Sequence, residues 1–370
     1  MLHHGDWPWY SCVSPESRQD FAFAFLSILF EGAPFILLGT LVSGFIDAYL
    51  PANTMDRLLP RRKLPAILVA GLLGAILPVC ECAVVPVIRR LVKKGLPVSC
   101  ALTYMLAAPI VNPITALSTW KAFKGPQVSF GDLGLFPASA VMTASRLGLG
   151  FLIAVGVGIL VSRLPLRAVL RPKLIDSLDE GDVHHSHDEA HGCACHSHPE
   201  VPSADASHAC HEGCGHDHAH SAHSGDDRLV SAIRSAMRDF TDVGVYFTIG
   251  VAITALFNTG IAPGKEWLDS IAENTTAAPA ALMALAFVLS LCSTSDAFIA
   301  ATLHKFSWGA KLAFLTFGPM MDVKLIFLYQ TVMKRRFILG LAVGIFLAIG
   351  LAAIAWQAGI SALNPPTGQP

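Results

Sequence analysis

Apolar residues fall into eight long runs, and polar residues gather between them. The runs are 21–49, 64–88, 96–120, 135–161, 240–261, 277–303, 308–333 and 337–358. Each reaches the roughly 20 residues an α-helix needs to cross a bilayer. Several are broken by residues that suit no uninterrupted helix. Glu31-Gly32-Ala33-Pro34 interrupts the first, and Ala108-Pro109-Ile110-Val111-Asn112-Pro113 the third. In the second, Pro78 and Pro86 bracket Cys80-Glu81-Cys82. The sixth contains Leu291-Cys292-Ser293-Thr294-Ser295-Asp296. Proline removes a helix hydrogen bond and clashes with the preceding turn. Irregular backbone at membrane depth is tolerated only where protein buries it or water reaches it.

The basic residues set the orientation, because short Lys/Arg-rich loops stay cytoplasmic. Arg61-Arg62-Lys63 and Arg89-Arg90 with Lys93-Lys94 flank the second run on both sides. That run therefore reads as a re-entrant hairpin entering and leaving on the cytoplasmic side. Arg163, Arg167, Arg171 and Lys173 close the fourth run, and Lys334-Arg335-Arg336 the seventh. The halves resemble each other at intervals of about 210 residues, a relation worth seeking early. Glu31 with Gly39 matches Asp242 with Gly250. Leu77-Pro78-Val79-Cys80 matches Leu289-Ser290-Leu291-Cys292, and Ala108–Asn112 matches Gly318–Asp322. With the basic loops, this predicts an all-α polytopic membrane protein of two inverted repeats. Each repeat has about three spanning helices plus a broken re-entrant hairpin, an architecture used by transporters. The rival topology has eight full spans and must leave one basic loop outside. The predicted divisions are a first membrane repeat, 1–170, a His/Cys-rich cytoplasmic insert, 171–228, and a second membrane repeat, 229–370.

Composition agrees with the membrane reading: 53% of the 370 residues are hydrophobic and 14% are charged. The net charge of −1 leaves no footprint for nucleic acid. Met1 to Asp20 lacks a basic flank before an apolar core, so no cleavable signal peptide is expected there. The nine cysteines sit mostly in apolar runs or in the His-rich tract, not in a disulfide framework. A Walker-type phosphate loop, H-E-x-x-H and G-x-S-x-G are all missing, which argues against ATP hydrolysis and against an intramembrane enzyme.

The candidate transport path starts at Cys80, Glu81 and Cys82. Thiolates are soft ligands suited to copper(I), zinc and thiophilic metalloids, and zinc also accepts a carboxylate oxygen. Residues two apart diverge on a regular helix, so joint ligation by Cys-x-Cys itself needs the break. The second broken run would bring Cys292, Ser293, Thr294 and Asp296 towards them. Asn112 and Asp322 follow Pro109 and Pro319, where freed carbonyls with an amide or carboxylate could line a cation path. Helix packing and a simple kink are the plainer readings of these residues. Glu31 and Asp242 are candidate proton-coupling acids, or interfacial residues. Arg146 and Lys324 are the buried-looking bases, and carboxylates outnumber them. Such an interior favours a cation or a neutral thiophile over an anion.

The insert carries His184, His185, His187, His191, Cys193, Cys195, His196, His198, Cys210, His211, Cys214, His216, His218 and His220. Imidazole and thiolate are the usual ligands of zinc, copper and nickel. The spacings fit no zinc finger, so loose multi-site binding is expected, in a tract too polar to build a core.

From Leu77-Pro78-Val79-Cys80-Glu81-Cys82 through Lys93-Lys94-Gly95 to Ala108-Pro109-Ile110-Val111-Asn112-Pro113, the sequence resembles the predicted-permease family. Its relatives include organoarsenical efflux permeases and copper/zinc efflux transporters. The resemblance implies a multi-pass bacterial inner-membrane permease with a cysteine motif in a discontinuous segment. It also implies a second membrane subunit or a homo-oligomer as partner, besides lipid. Many members carry Cys-Ser-Cys-Gly; here Glu81 and Ala83 replace Ser and Gly, and the added carboxylate favours a cation. The expectation is a permease for a thiophilic metal species, zinc first, then copper or a trivalent metalloid. It would work by alternating access in the efflux direction, with no obligatory cofactor and metal also on the insert. The alternative is a membrane metal sensor or buffering scaffold in which only the insert binds metal.

Overall fold

The computed structural model describes residues 15–49, 60, 62–76, 81–129, 134–172, 225–260, 271–272, 274 and 276–363. Cys80, one wall of the expected path, lies outside them, as do the His and Cys residues of the insert, 184–220. The described chain is mostly helical. In order it runs α1 (Pro15–Tyr49), α2 (Lys63–Ile76), α3 (Glu81–Lys93), α4 (Val98–Ala107) and α5 (Pro113–Ala122). Strands β1 (Gln127–Ser129) and β2 (Leu135–Pro137) lead to α6 (Ala138–Val161) and the short α7 (Leu166–Val169). Then come α8 (Gly225–Gly260), α9 (Ala277–Leu289), α10 (Asp296–Thr302), α11 (Trp308–Phe317), α12 (Val323–Tyr329) and α13 (Arg335–Leu363).

Among the described residues, four helices are long and apolar enough to cross a membrane: α1, α6, α8 and α13. Their outward faces carry large apolar side chains, such as Phe23 and Phe30 on α1 or Leu347 and Leu351 on α13. In water such continuous apolar surface would drive association; against lipid it is the expected exterior. The shorter helices fill the middle. Helix α2 packs on α4 and α6, and α4 on α6. In the second half α9 packs on α11 and α13, and α11 on α13. The halves meet through α5 with α10, α3 with α12, and α6 with both α11 and α13. Helices α1 and α8 lie along one another over much of their length.

The two breaks between short helices are built alike. At the first, Ile110 and Val111 both donate to the Ala107 carbonyl, at 3.0 and 2.7 Å. Asn112 then caps α5 by accepting from the Ile114 N–H at 2.9 Å, with Pro113 at the first helical position. At the second, Met320 and Met321 both donate to the Phe317 carbonyl, at 3.0 and 2.9 Å. Asp322 caps α12 by accepting from the Leu325 N–H at 2.7 Å.

Several expectations are corrected here. Helix α1 runs unbroken through Glu31–Pro34, and α3 runs on through Pro86. Pro86 cannot donate within its helix; its own carbonyl accepts from Ser43 Oγ of α1 at 3.2 Å, which ties the site to a neighbour. Residues 135–137 form β2, paired antiparallel with β1, so α6 begins at Ala138 and the chain is not wholly α. Helix α8 starts at Gly225, ahead of the apolar run at 240. The carbonyls near the breaks are not all free either. Thr115 Oγ1 donates to the Pro109 carbonyl at 2.9 Å, and the Tyr329 hydroxyl to that of Met320 at 2.9 Å.

Candidate functional site: a buried charge network between two helix breaks

Glu81 opens α3 directly after residues 77–80, and only 2% of it is exposed. An acid in a helix's first turn faces the positive end of the backbone dipole. Its Oε2 accepts from Ser293 Oγ at 3.2 Å, and its Oε1 lies 3.5 Å from the Lys324 ammonium. Lys324 comes from the first turn of α12. It also lies 3.5 Å from Asp322 Oδ2 and donates to the Ser290 carbonyl at 2.8 Å. Ser290 ends α9 in the left-handed region, φ 48° and ψ 47°. A non-glycine residue adopts that conformation only when its surroundings compensate. Here the Ser290 hydroxyl donates to the Phe287 carbonyl at 3.1 Å and accepts from Thr254 at 3.3 Å.

The network continues through Ser293, whose carbonyl accepts from Arg146 Nη2 at 3.0 Å. Arg146 is wholly buried in α6. Its Nη2 also meets Asp296 Oδ2 at 2.7 Å, and its Nη1 donates to Thr119 at 2.8 Å. The remaining Asp296 oxygen, Oδ1, has no hydrogen-bond partner among the described residues. One chain of contacts thus runs from Asp322 through Lys324, Glu81, Ser293 and Arg146 to Asp296, across both halves of the sequence.

Beside Glu81 lies a cavity of about 20 Å³, room for roughly one water-sized particle. Cys82, Cys292, Glu31, Glu81 and Lys324 line it, closed by Ile28, Phe35 and Phe247. Thr294 donates to the Cys292 sulfur at 3.5 Å. Glu31, exposed near the middle of α1, accepts from Ser295 at 3.5 Å across the cavity mouth. Among the described residues no three His, Cys, Asp or Glu side chains stand close enough together to hold a metal ion. The cation at the carboxylates is the protein's own Lys324. A second, larger cleft of about 460 Å³ between α1 and α8 has no ionisable side chain in its lining.

Close backbone approach holds this geometry. A Cβ at Gly39 would lie 2.6 Å from the Ala83 carbonyl oxygen, and one at Gly250 would lie 2.8 Å from the Lys324 Cα. Glycine alone lets α1 reach α3 and α8 reach α12 at these points.

The predicted residues divide accordingly. Glu81, Cys82, Cys292 and Ser293 come together, with Thr294 adjoining through Cys292. Asp296 stands at the far side of the network, paired with Arg146. Asn112 and Asp322 act as helix caps, and only Asp322 also faces the network. Asp242 is set apart: its side chain is 61% exposed and lies 3.3 Å from Arg89. The buried acid of α8 is Asp239, which sequence reasoning missed. It accepts from Arg90 at 2.8 Å and from Ser43 at 3.0 Å. It lies three residues before Asp242, on nearly the same helix face, and Arg89 stands near both acids.

Residues 19–358 match the family model described as "Predicted permease". The chain is 32% identical over 315 residues to "UPF0718 protein YcgR" of Bacillus subtilis (strain 168), spanning 85% of this chain and 89% of that protein. It is 31% identical over 316 residues to the "Putative two-component membrane permease complex subunit" of Streptococcus mutans, spanning 85% and 87%. No solved structure matches.

Proposed function

The chain belongs to the predicted permease family, a family of multi-pass membrane proteins, and from that premise we propose that it moves a thiophilic metal cation across the membrane. Zinc is the first candidate, then copper(I) or a trivalent metalloid, and the direction is efflux. The observation that supports this reading is that Glu81, Cys82 and Cys292 line one small cavity. With Lys324 at the carboxylates they are not gathered closely enough to hold an ion, so cargo binding would have to draw them together. Two sulfurs and a carboxylate suit a soft or borderline cation. Cys80, next to Glu81 in sequence, would add a third sulfur.

The proposed mechanism is alternating access about this cavity. The paired helix order of the two halves and the exchanged contacts, α5 with α10 and α3 with α12, support an inverted repeat around it. Residues 290–295 would be the tip of the re-entrant segment in the second half. Ligation must be multidentate yet incomplete, because a closed set of four thiolates would hold zinc too tightly to release. The insert would lie in the cytoplasm of a bacterial cell and gather metal without being part of the path. The two-component name of the Streptococcus mutans relative supports a membrane partner subunit.

The test is zinc, copper(I) and arsenite flux in proteoliposomes. Flux of one species is expected, strongly lowered in Cys82→Ser and in Glu81→Gln. Wild-type flux in both variants would sink the proposal.

A further inference from the structure

The two buried cations of the network are held in different ways. Arg146 makes three contacts of 3.0 Å or less, from a planar guanidinium whose geometry fixes all of them together. Lys324 makes one close contact, 2.8 Å to the Ser290 carbonyl, and stands 3.5 Å from each of the Glu81 and Asp322 carboxylates. Its ammonium is a point charge on a stem of four rotatable bonds. Its backbone, in contrast, is pinned by the Asp322 cap of α12 and by Gly250 of α8. The side chain can therefore swing while its anchor stays. It also lines the cavity that Cys82, Cys292 and Glu31 share.

We propose that Lys324 is a tethered stand-in for the cargo cation. This rests on the reading of the chain as a cation permease. When the site is empty, the ammonium sits among Glu81, Asp322 and the Ser290 carbonyl. An arriving cation of the thiophilic class takes up Glu81, Cys82 and Cys292, and Lys324 swings away from Glu81 towards Asp322. When cargo leaves, Lys324 returns. The physical need is clear: two buried carboxylates without a cation bear the desolvation penalty of both charges uncompensated. A carrier left with both of them bare could not pass through its closed intermediate. Lys324 thus supplies the charge that lets the empty carrier reorient. It would also keep unloaded sites from admitting sodium or potassium, since the charge to be neutralised is already met.

The role separates two transport modes. Net flux requires the empty carrier to return, whereas exchange of cargo for cargo does not. Wild-type protein in proteoliposomes should show both for zinc. In Lys324→Gln, net zinc flux should fall roughly tenfold or more, a barrier change of about 1.4 kcal/mol or above. Zinc–zinc exchange into preloaded vesicles should persist. Lys324→Arg should retain net flux. Asp322→Asn/Lys324→Gln should regain it, because one carboxylate and its cation leave together and the amide that replaces Asp322 can still cap α12. Net flux at the wild-type level in Lys324→Gln overturns the proposal. So does loss of both modes in Lys324→Gln when the double variant recovers neither, although both elute as folded, monodisperse protein. If wild-type protein moves zinc in neither mode, the permease reading for zinc fails, and this inference falls with it.

Discussion

Arg146→Met removes the one buried guanidinium that joins α6 to α5 and to the segment before α10. Three contacts go with it: the Asp296 pair at 2.7 Å, the Thr119 hydroxyl at 2.8 Å and the Ser293 carbonyl at 3.0 Å. Breaking a buried pair from one side costs about 3–5 kcal/mol, because the surviving charge is left without compensation. The orphaned Ser293 carbonyl adds about 1 kcal/mol. Thr119 adds little, since its hydroxyl still donates to the Thr115 carbonyl at 2.8 Å. The expected loss is about 5 kcal/mol, a fall in unfolding temperature on the order of 10 °C. In Arg146→Met/Asp296→Leu the charge leaves with its partner, and such replacements are often near neutral. Only the carbonyl term remains, so the double variant should lie within about 2 kcal/mol of wild type. The double variant should thus recover about 3 kcal/mol of the single variant's loss, and the cycle with Asp296→Leu gives the pair's coupling. The assay is thermal loss of the monodisperse peak in detergent for all four members of the cycle. A single variant as stable as wild type, or a double variant no better than the single, would refute the reasoning.

Two further predictions concern packing and the second ion cluster. Gly250→Leu should cost about 1–3 kcal/mol and displace Lys324, because its Cβ would meet the Lys324 backbone at 2.8 Å. Gly244→Ala on the same helix meets nothing within 4 Å and should be silent in the same thermal assay. Asp239→Ala should cost about 3 kcal/mol, since it removes the 2.8 Å ion pair of the mostly buried Arg90 together with the Ser43 contact. Asp242→Ala should cost under about 0.5 kcal/mol, because its ion pair is exposed. Equal effects at the two positions would contradict the assignment of Asp239 as the inward-facing acid.

Much of this architecture is legible in the sequence because membrane helices announce themselves by length and hydropathy, and their breaks by Pro, Asn and Asp. Asn112 and Asp322 mark helix starts for a local reason: each caps a backbone N–H within three residues. The prolines at 34 and 86 are harder to read, since a proline kinks or breaks a helix only if its surroundings let it. Pro86 stays in α3, with its carbonyl bound by Ser43, 43 residues away in sequence. Arg146 and Lys324 stand out as isolated bases in apolar runs. Which carboxylate each faces depends on how the halves dock, and no local pattern encodes that. Asp239 escaped notice because Arg238 beside it makes the stretch look like a solvated cytoplasmic end.

The most direct test of the central claim is cargo flux in proteoliposomes by protein lacking residues 179–224, with and without Cys82→Ser. Removing the insert separates metal that is merely gathered from metal that passes through. The shortened protein is expected still to move its cargo. Cys82→Ser should then lower that flux on the order of 10- to 100-fold, as loss of one ligand-shell group does. Flux by the shortened protein that Cys82→Ser leaves unchanged would contradict a path through the cavity, and flux that vanishes with the insert would place metal recognition in the insert.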